Sequence, residues 1–184
     1  MTNDVLMAGF GGQGMLLAGK ILAHAAMDEG LAVSWLPSYG PEMRGGTANV
    51  IVRISSEPIA SPLVSRPGNL LVMNLPSLEK VAPLIEPGGV IIVNSTLISR
   101  DPERQDCRIV KIDARKLAAD AGSQRASNFV MLGAYVGATA VVPAESVDAA
   151  IAAEFTGGKA GFVPANQAAF RAGVQMGLKS EVSA

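Results

Sequence analysis

The sequence predicts an α/β protein with a mostly parallel sheet and helices on both faces. Short apolar segments without alternating polar residues, such as residues 4–10 and 90–94, are typical of strands that are buried on both sides. Longer segments rich in alanine, leucine and methionine, such as residues 15–29, favour helices between those strands. Strands that alternate with helices indicate a single Rossmann-like domain.

The first half of the chain begins with a predicted strand over residues 4–10, which ends in glycines. The helix over residues 15–29 is expected to stop at Gly30. Residues 31–36 and 47–54 are predicted strands, and the second is rich in valine and isoleucine. No helix is predicted between these two strands, so the sheet could contain a strand in mixed order.

The second half continues the alternation. Ser77 is expected to cap one helix and Asn128 to cap another. The chain from residue 4 to residue 177 is expected to form one domain, followed by a C-terminal tail over 178–184. The predicted strands are 70–74, 90–94 and 108–112, and the predicted helices are 77–85, 114–121, 128–139, 145–155 and 165–177.

The composition excludes several kinds of site. The chain has 184 residues, a net charge of −1, one cysteine and one histidine. A single cysteine rules out an intrachain disulfide and a cysteine-ligated iron–sulfur cluster, and no zinc triad is evident. The charge balance points to neither nucleic acid nor an anionic membrane surface. The high hydrophobic content, 49%, predicts that the chain alone self-associates.

A cytoplasmic location is expected because the N-terminal residues lack the features of a signal peptide. Residues 126–144 carry no charge, but they include serine, asparagine, glycine and proline. This composition favours a buried helix rich in small residues over a membrane span.

The first candidate site is a glycine loop that follows the first strand and opens the first helix. Its spacing is G-x-G-x-x-G. Such a loop allows close approach of the backbone, and the helix after it offers free N–H groups to an anion. A tight turn with a purely structural role remains an alternative. The candidate residues are Gly9, Gly11, Gly12, Gln13 and Gly14.

An NAD(P) site would also require an acidic residue near the end of the second strand to bind the ribose. Residues 34–39 contain none, and Asp28 and Glu29 come too early. A stand-alone NAD(P)-dependent dehydrogenase therefore stays only as an alternative.

The second candidate site is a loop rich in glycine and proline after the second strand. An arginine beside two glycines can present a guanidinium and backbone N–H groups to one anion. We expect this loop at the carboxyl end of the second strand, next to the glycine loop. A rigid connector with Arg44 paired to Glu42 is the alternative. The candidate residues are Ser38, Tyr39, Gly40, Glu42, Arg44, Gly45 and Gly46.

Asn94 and Ser95 end an apolar strand at the same rim. They could bind a ligand or a partner loop, although an ordinary turn at the end of a strand is the favoured interpretation.

These motifs together resemble the gamma subunit of 2-oxoacid:ferredoxin oxidoreductases. The family includes the pyruvate, 2-oxoglutarate, 2-oxoisovalerate (ketoisovalerate) and indolepyruvate enzymes. The resemblance covers residues 4–177 and is specific because the two loops occur together. The motifs are GFGGQG at 9–14, SYGPEMRGG at 38–46, Pro87-Gly-Gly, Asn94-Ser95, and Asn128 followed by Leu132-Gly-Ala134.

The resemblance implies a subunit that is inactive alone and carries no catalytic or metal-binding residue. Thiamine diphosphate, magnesium and iron–sulfur clusters are implied in alpha and beta partner subunits, with delta as an optional further subunit. Ferredoxin is the implied electron acceptor of the complex. Coenzyme A (CoA) is a ligand that the glycine loop and the Arg44 loop could share with the partners. A non-catalytic docking module remains a third interpretation.

Overall fold

The computed structural model describes residues 2–39 and 47–180. Within them, six strands form one sheet in the order β2-β3-β1-β4-β5-β6. Neighbouring strands are parallel from β1 to β6, whereas β3 runs antiparallel to both β1 and β2. The mostly parallel sheet is therefore confirmed, and β3 is the strand in mixed order. The strands are β1 (Thr2–Phe10), β2 (Ala32–Tyr39), β3 (Thr47–Ser55), β4 (Asn69–Val72), β5 (Val90–Asn94) and β6 (Arg108–Ile112).

The helices of the described residues agree with the predicted ones in number and order, but several boundaries differ. α2 begins two residues before its predicted start, and α6 continues through Lys179, into the predicted tail. Three short 3-10 helices were not predicted, at Ala82–Leu84, Gln124–Ala126 and Gly157–Phe162. The helices are α1 (Met15–Asp28), α2 (Leu75–Val81), α3 (Ala114–Asp120), α4 (Ser127–Thr139), α5 (Ala144–Glu154) and α6 (Val163–Lys179).

The cap predicted for α2 was wrong. Asn74, not Ser77, is the N-cap, and its side-chain oxygen accepts a hydrogen bond from the backbone N–H of Ser77 at 2.8 Å. Asparagine is a good cap, and Pro76 suits the first turn because it needs no N–H partner there. The helix therefore begins directly at the end of β4.

The two faces of the sheet are covered by different helices. Val5 and Met7 of β1 share a buried cluster with Ile21 of α1, whereas Leu70 of β4 shares another with Leu78 of α2. From β1 the chain passes through α1 towards β2, and from β4 it passes through α2 towards β5 in the opposite direction. Because parallel crossovers are right-handed, opposite directions place the helices on opposite faces. The direction changes between β1 and β4, where open α/β sheets bind ligands at the carboxyl ends of the strands.

α4 is the central helix of the thicker face. Every residue from Asn128 to Val136 is buried, since the sheet lies on one side and α6 on the other. A helix that is apolar all round belongs in an interior. This confirms the buried helix predicted from its uncharged sequence. None of the helices in the described ranges is long and apolar enough to cross a membrane.

α4 and α6 pack with their backbones close together. A Cβ added to Gly133 would lie 2.0 Å from the carbonyl oxygen of Phe170, and one added to Gly173 would lie 2.0 Å from the carbonyl oxygen of Val130. No side chain fits at these distances, so the helices can approach this closely only where both carry glycine.

We therefore predict that Gly173→Ala lowers the free energy of unfolding by about 2–3 kcal/mol, because its methyl group must push two helix backbones apart. Urea unfolding measures the change. Gly161→Ala is the control, since its Cβ would meet nothing within 4 Å; its effect should stay within about 0.5 kcal/mol. Equal losses in the two variants would contradict this account of the packing.

Candidate functional site

Two adjoining cavities open at the rim where β1, β4 and β5 end, and we call them together the rim cleft. The first, of about 250 Å³, is lined by Met73, Asn94, Thr96, Leu97, Arg115, Gln124 and Ser127. The second, of about 260 Å³, is lined by Gly14, Leu17, Ser123, Phe129, Phe155, Phe162 and Asn166. Both cavities share a wall made of Gly12, Gln13, Arg125 and Asn128.

Larger grooves lie elsewhere on the surface. One of about 400 Å³ runs beside α2, but its charged side chains pair with one another or with immediate neighbours, as Arg100 does with Glu79 and Glu103. Another, of about 730 Å³, lies between α4, α5 and α6 and is largely apolar. Neither groove lies at the point where the chain changes direction. The rim cleft is therefore the better candidate despite its smaller volume.

The glycine loop lies where the sequence predicted it and folds back on itself. The N–H of Gln13 donates to the carbonyl oxygen of Phe10 at 3.1 Å, and the N–H of Phe10 donates to Oε1 of Gln13 at 2.6 Å. Gly14 has a φ of 76° and is the N-cap of α1. Its left-handed conformation strongly favours glycine. Gly9 is buried at the end of β1, while Gly11 and Gly12 are exposed in the turn.

Two helix N-termini meet at the rim cleft. α1 begins after the glycine loop and α4 begins at Ser127, and neither has a side-chain cap or an acidic residue in its first turn. The positive ends of the two helix dipoles favour an anion, and the first N–H groups of α1 add to this preference. The sequence predicted this property for α1 alone.

Asn128 is not the N-cap that the sequence predicted, because α4 begins one residue earlier. Its side chain is instead 5% exposed and donates from Nδ2 to the carbonyl oxygen of Gly14 at 3.3 Å. The bond joins residues that are 114 positions apart. Local sequence cannot distinguish such a bond from a cap, since asparagine is common in both roles.

Arg115 and Arg125 are the two cations of the rim cleft, and both were missed. Each is exposed, and neither forms an ion pair with any residue that the structure describes. Arg115 is the second residue of α3, where its N–H donates to Oγ1 of Thr96 at 3.2 Å. Their positions in the chain could have identified them, because Arg115 lies shortly after the end of β6 and Arg125 lies two residues before α4. Two unpaired guanidinium groups beside two helix N-termini suit a phosphate or carboxylate.

The start of α3 is held by Asp113. Its Oδ1 accepts from Oγ1 of Thr96 at 2.8 Å and from the N–H of Lys116 at 3.1 Å. These bonds, the one from Thr96 first, hold the pKa of the Asp113 carboxyl below its ordinary value. Thr96 and Asp113 thereby place Arg115 at the edge of the first cavity.

Asn94 lies in the first cavity, whereas Ser95 does not line it. Asn94 is 2% exposed; its Oδ1 accepts from the N–H of Thr96 at 3.1 Å, and its Nδ2 lies 3.5 Å from Sδ of Met73. Thioether sulfur is a weak acceptor, so the amide has bonding capacity left. Ser95 is exposed, and its N–H donates to the carbonyl oxygen of Ile112 as a continuation of the sheet.

The second candidate loop is divided by the limits of the described residues. Ser38 and the backbone of Tyr39 belong to β2, which is longer than predicted, and Ser38 pairs with Asn49 of β3. Because β3 lies between β2 and β1, this end of the loop is two strands away from the glycine loop. The other end returns at Thr47, which pairs directly with Phe10 at the start of the glycine loop. The side chain of Tyr39, and Gly40, Glu42, Arg44, Gly45 and Gly46, lie outside the described residues.

No group of three histidine, cysteine, aspartate or glutamate side chains is placed to hold a metal ion in residues 2–39 and 47–180. Cys107 is half-buried beside Arg104 and Asp106, and burial raises the pKa of its thiol. It does not line the rim cleft.

Comparison with known proteins gives consistent matches. The family described as pyruvate ferredoxin/flavodoxin oxidoreductase matches residues 4–176. The chain is 39% identical over 155 residues to the 2-oxoglutarate synthase subunit KorC of Methanocaldococcus jannaschii, with 82% of each protein covered. It shares 30% identity and a TM-score of 0.86 with the crystal structure of a keto/oxoacid ferredoxin oxidoreductase gamma subunit from Geobacter sulfurreducens, over 98% of both chains.

One relative is much longer than this chain. The ketoisovalerate oxidoreductase subunit VorA of Methanothermobacter thermautotrophicus is 45% identical over 129 residues, and the match covers 70% of this chain but only 27% of that protein. Together the matches support the interpretation as an oxidoreductase subunit, and they do not support the NAD(P)-dependent dehydrogenase.

We predict that Asp113→Asn changes how stability depends on pH. Because the folded pKa of Asp113 lies below its unfolded value of about 3.9, the ionised carboxylate stabilises the fold above about pH 4. This stabilisation is lost as the pH falls through the lowered pKa. At pH 7 the free energy of unfolding of the native chain should exceed that of the variant by about 0.5 kcal/mol, and this difference should vanish in acid.

Urea unfolding between pH 7 and the acid limit of folding measures this difference. Thr96→Val is the matched variant, because it removes the largest cause of the lowered pKa and should remove most of the pH dependence. A difference that is the same at every pH would refute the assignment to Asp113.

Proposed function

We propose that this chain, which belongs to the pyruvate ferredoxin/flavodoxin oxidoreductase family, is the gamma-type subunit of a 2-oxoacid:ferredoxin oxidoreductase. The assembled enzyme would decarboxylate a 2-oxoacid oxidatively and release an acyl-CoA. The chain would act in the cytoplasm and have no activity alone. The observation that supports a binding role for this chain is that Arg115 and Arg125, which form no ion pair within the described residues, lie beside two helix N-termini without side-chain caps.

The proposal assigns the redox cofactors to partner chains. Thiamine diphosphate with magnesium, and the iron–sulfur clusters that pass electrons to ferredoxin, would be bound by alpha and beta subunits or by a delta subunit. A cluster needs several cysteine ligands, and this chain has one. The contribution left to the chain is binding and docking at its rim.

CoA is the ligand that the rim cleft suits best. Its phosphates would bind to Arg125 and Arg115 and to the N–H groups at the starts of α1 and α4, which can each stabilise an anion. Arg44 could join them from the loop between β2 and β3. The rest of CoA would extend from this chain towards the partner subunit that holds thiamine diphosphate.

The second cavity fits the adenine ring of the same ligand. Phe155 and Phe162 line it together with Phe129, whose ring lies edge-on to Phe155 with centroids 5.9 Å apart. Aromatic walls bind a flat heteroaromatic ring by stacking and by burial of apolar surface. Asn166, at the same wall, offers an amide to the edge of the ring. A phosphate-binding cavity that adjoins an aromatic one is the arrangement that a nucleotide requires.

Docking to partner subunits is the other part of the proposal. Phe10, at the start of the glycine loop, and Trp35, on the edge strand β2, are each 37% exposed. Large apolar side chains at a rim and at a sheet edge favour contact with another protein. They also support self-association of the chain when it is made alone. If CoA does not bind here, docking alone would remain, which is the third interpretation of the sequence.

We predict that Arg125→Ala in the assembled enzyme raises the KM for CoA about ten-fold, because one charged hydrogen bond to phosphate is lost. Arg115→Ala and Arg44→Ala should act in the same direction. The turnover number should change less, since none of these side chains reaches the reacting atoms. Steady-state kinetics with saturating 2-oxoacid and varied CoA measures the effect.

Lys80→Ala is the matched control, because Lys80 is an exposed cation on α2, away from the rim cleft. It should leave the KM for CoA unchanged. If Arg115, Arg125 and Arg44 can all be removed without an effect on the KM for CoA or on assembly, this chain does not bind CoA.

We also predict that the tagged chain, purified from its own host, brings down thiamine-dependent partner subunits. The eluate should reduce a viologen dye in the presence of CoA and one of a panel of 2-oxoacids, and the preferred acid would identify the substrate.

In analytical ultracentrifugation at micromolar concentration, the chain alone should form oligomers. A monomer that elutes alone and retains a nucleotide would argue against the subunit.

A further inference from the structure

Asn128 lies between the start of α4 and the start of α1, at the wall that both cavities share. We propose that Asn128 is a positioning residue, which holds the glycine loop in the conformation that binds the ligand of the rim cleft. The link to CoA binding rests on the proposed function. The effect on the loop itself does not.

The first support is the hydrogen bond from Asn128 to Gly14. The carbonyl oxygen of Gly14 already accepts the first helical bond of α1, from the N–H of Ala18 at 3.0 Å. The amide of Asn128 adds a second donor to the same oxygen at 3.3 Å. A carbonyl oxygen has two lone pairs, so both bonds can form at once. The N-cap of α1 is thereby tied to a second helix and not only to its own next turn.

The second support is steric. A Cβ added to Gly14 would lie 2.7 Å from Nδ2 and 2.9 Å from Cγ of Asn128. The side chain of Asn128 therefore fills the space that any larger residue at position 14 would need. The same side chain therefore both contacts Gly14 and donates a hydrogen bond to it, which limits the freedom of the loop to move.

The third support is the chemistry of the buried amide. Asn128 is 5% exposed, and its Nδ2 donates to the backbone of the glycine loop. An apolar side chain would fill this space without the cost of burying a polar group. The amide is explained if the backbone of the loop must be held by a hydrogen bond.

The consequence for binding is preorganisation. Gln13 closes the glycine loop from within, through the N–H of Phe10, and Asn128 anchors it from α4. With the loop held by these two amides, the N–H groups at the start of α1 point at the cleft before the ligand arrives. A ligand then binds without the entropic cost of ordering the loop.

The test replaces Asn128 by alanine in the assembled enzyme, with Asn69→Ala as the matched control. Asn69 is also a buried asparagine, and its Nδ2 donates to the carbonyl oxygen of Asp4 at 2.9 Å. It lies at the start of β4, however, at the opposite end of the strand from the rim cleft. Both variants lose a buried amide, so both should unfold at a lower temperature. Only the first should affect the rim cleft.

Hydrogen exchange and kinetics give the two readouts. For Asn128→Ala we expect about ten-fold faster amide exchange over residues 12–18. We also expect about a five-fold higher KM for CoA with kcat within about two-fold. Asn69→Ala should change neither quantity. Asn128→Leu keeps a similar volume and loses the donor without adding a charge to the cleft, and it serves if the alanine variant does not assemble.

Unchanged exchange of the glycine loop in Asn128→Ala would overturn the proposal, whatever happens to the melting temperature. A fall in stability alone, equal to that of Asn69→Ala, would show that Asn128 only packs. If exchange rises while Arg125→Ala leaves the KM for CoA unchanged, Asn128 positions the loop and the CoA proposal fails. The two hypotheses therefore fail separately.

Discussion

The close packing of α4 between the sheet and α6 is the constraint on which the rest of the structure depends. Glycines allow the two helix backbones to touch, as Gly173 does at Val130, so that α4 can be buried on every side. A helix held in this way has little freedom to slide or rotate. Its first turn is therefore fixed at the rim, where Asn128 meets the glycine loop.

The rim cleft combines positive charge and free N–H groups from elements that are far apart in sequence. The starts of α1 and α4 have no side-chain cap, and the guanidinium groups of Arg115 and Arg125 form no ion pair within the described residues. Both arginines are exposed, so water can hydrate them in the isolated chain. The anion proposed for the rim cleft would interact with all of these groups together.

The core of the chain and its functional surface follow different rules. Apolar segments such as β4 and β5 are buried on both faces, and their positions follow from the pattern of side chains. The rim instead carries loops and exposed side chains, among them Phe10. A packed sheet that presents loops where its parallel strands end suits the binding and docking role proposed for this subunit.

The sequence by itself determined the elements that short-range physics controls. The apolar runs predicted the strands, the glycines at 9–14 predicted the turn into α1, and the uncharged stretch predicted a buried helix. Only the tertiary structure decided the insertion of β3 between β1 and β2, the bond from Asn128 to Gly14, and the meeting of Arg115 with Arg125. Strand order and side-chain partners depend on contacts between segments that are distant in the sequence. Asparagine and arginine can each serve in a cap, a loop or a binding site, so the residues next to them in sequence do not reveal which contact they make.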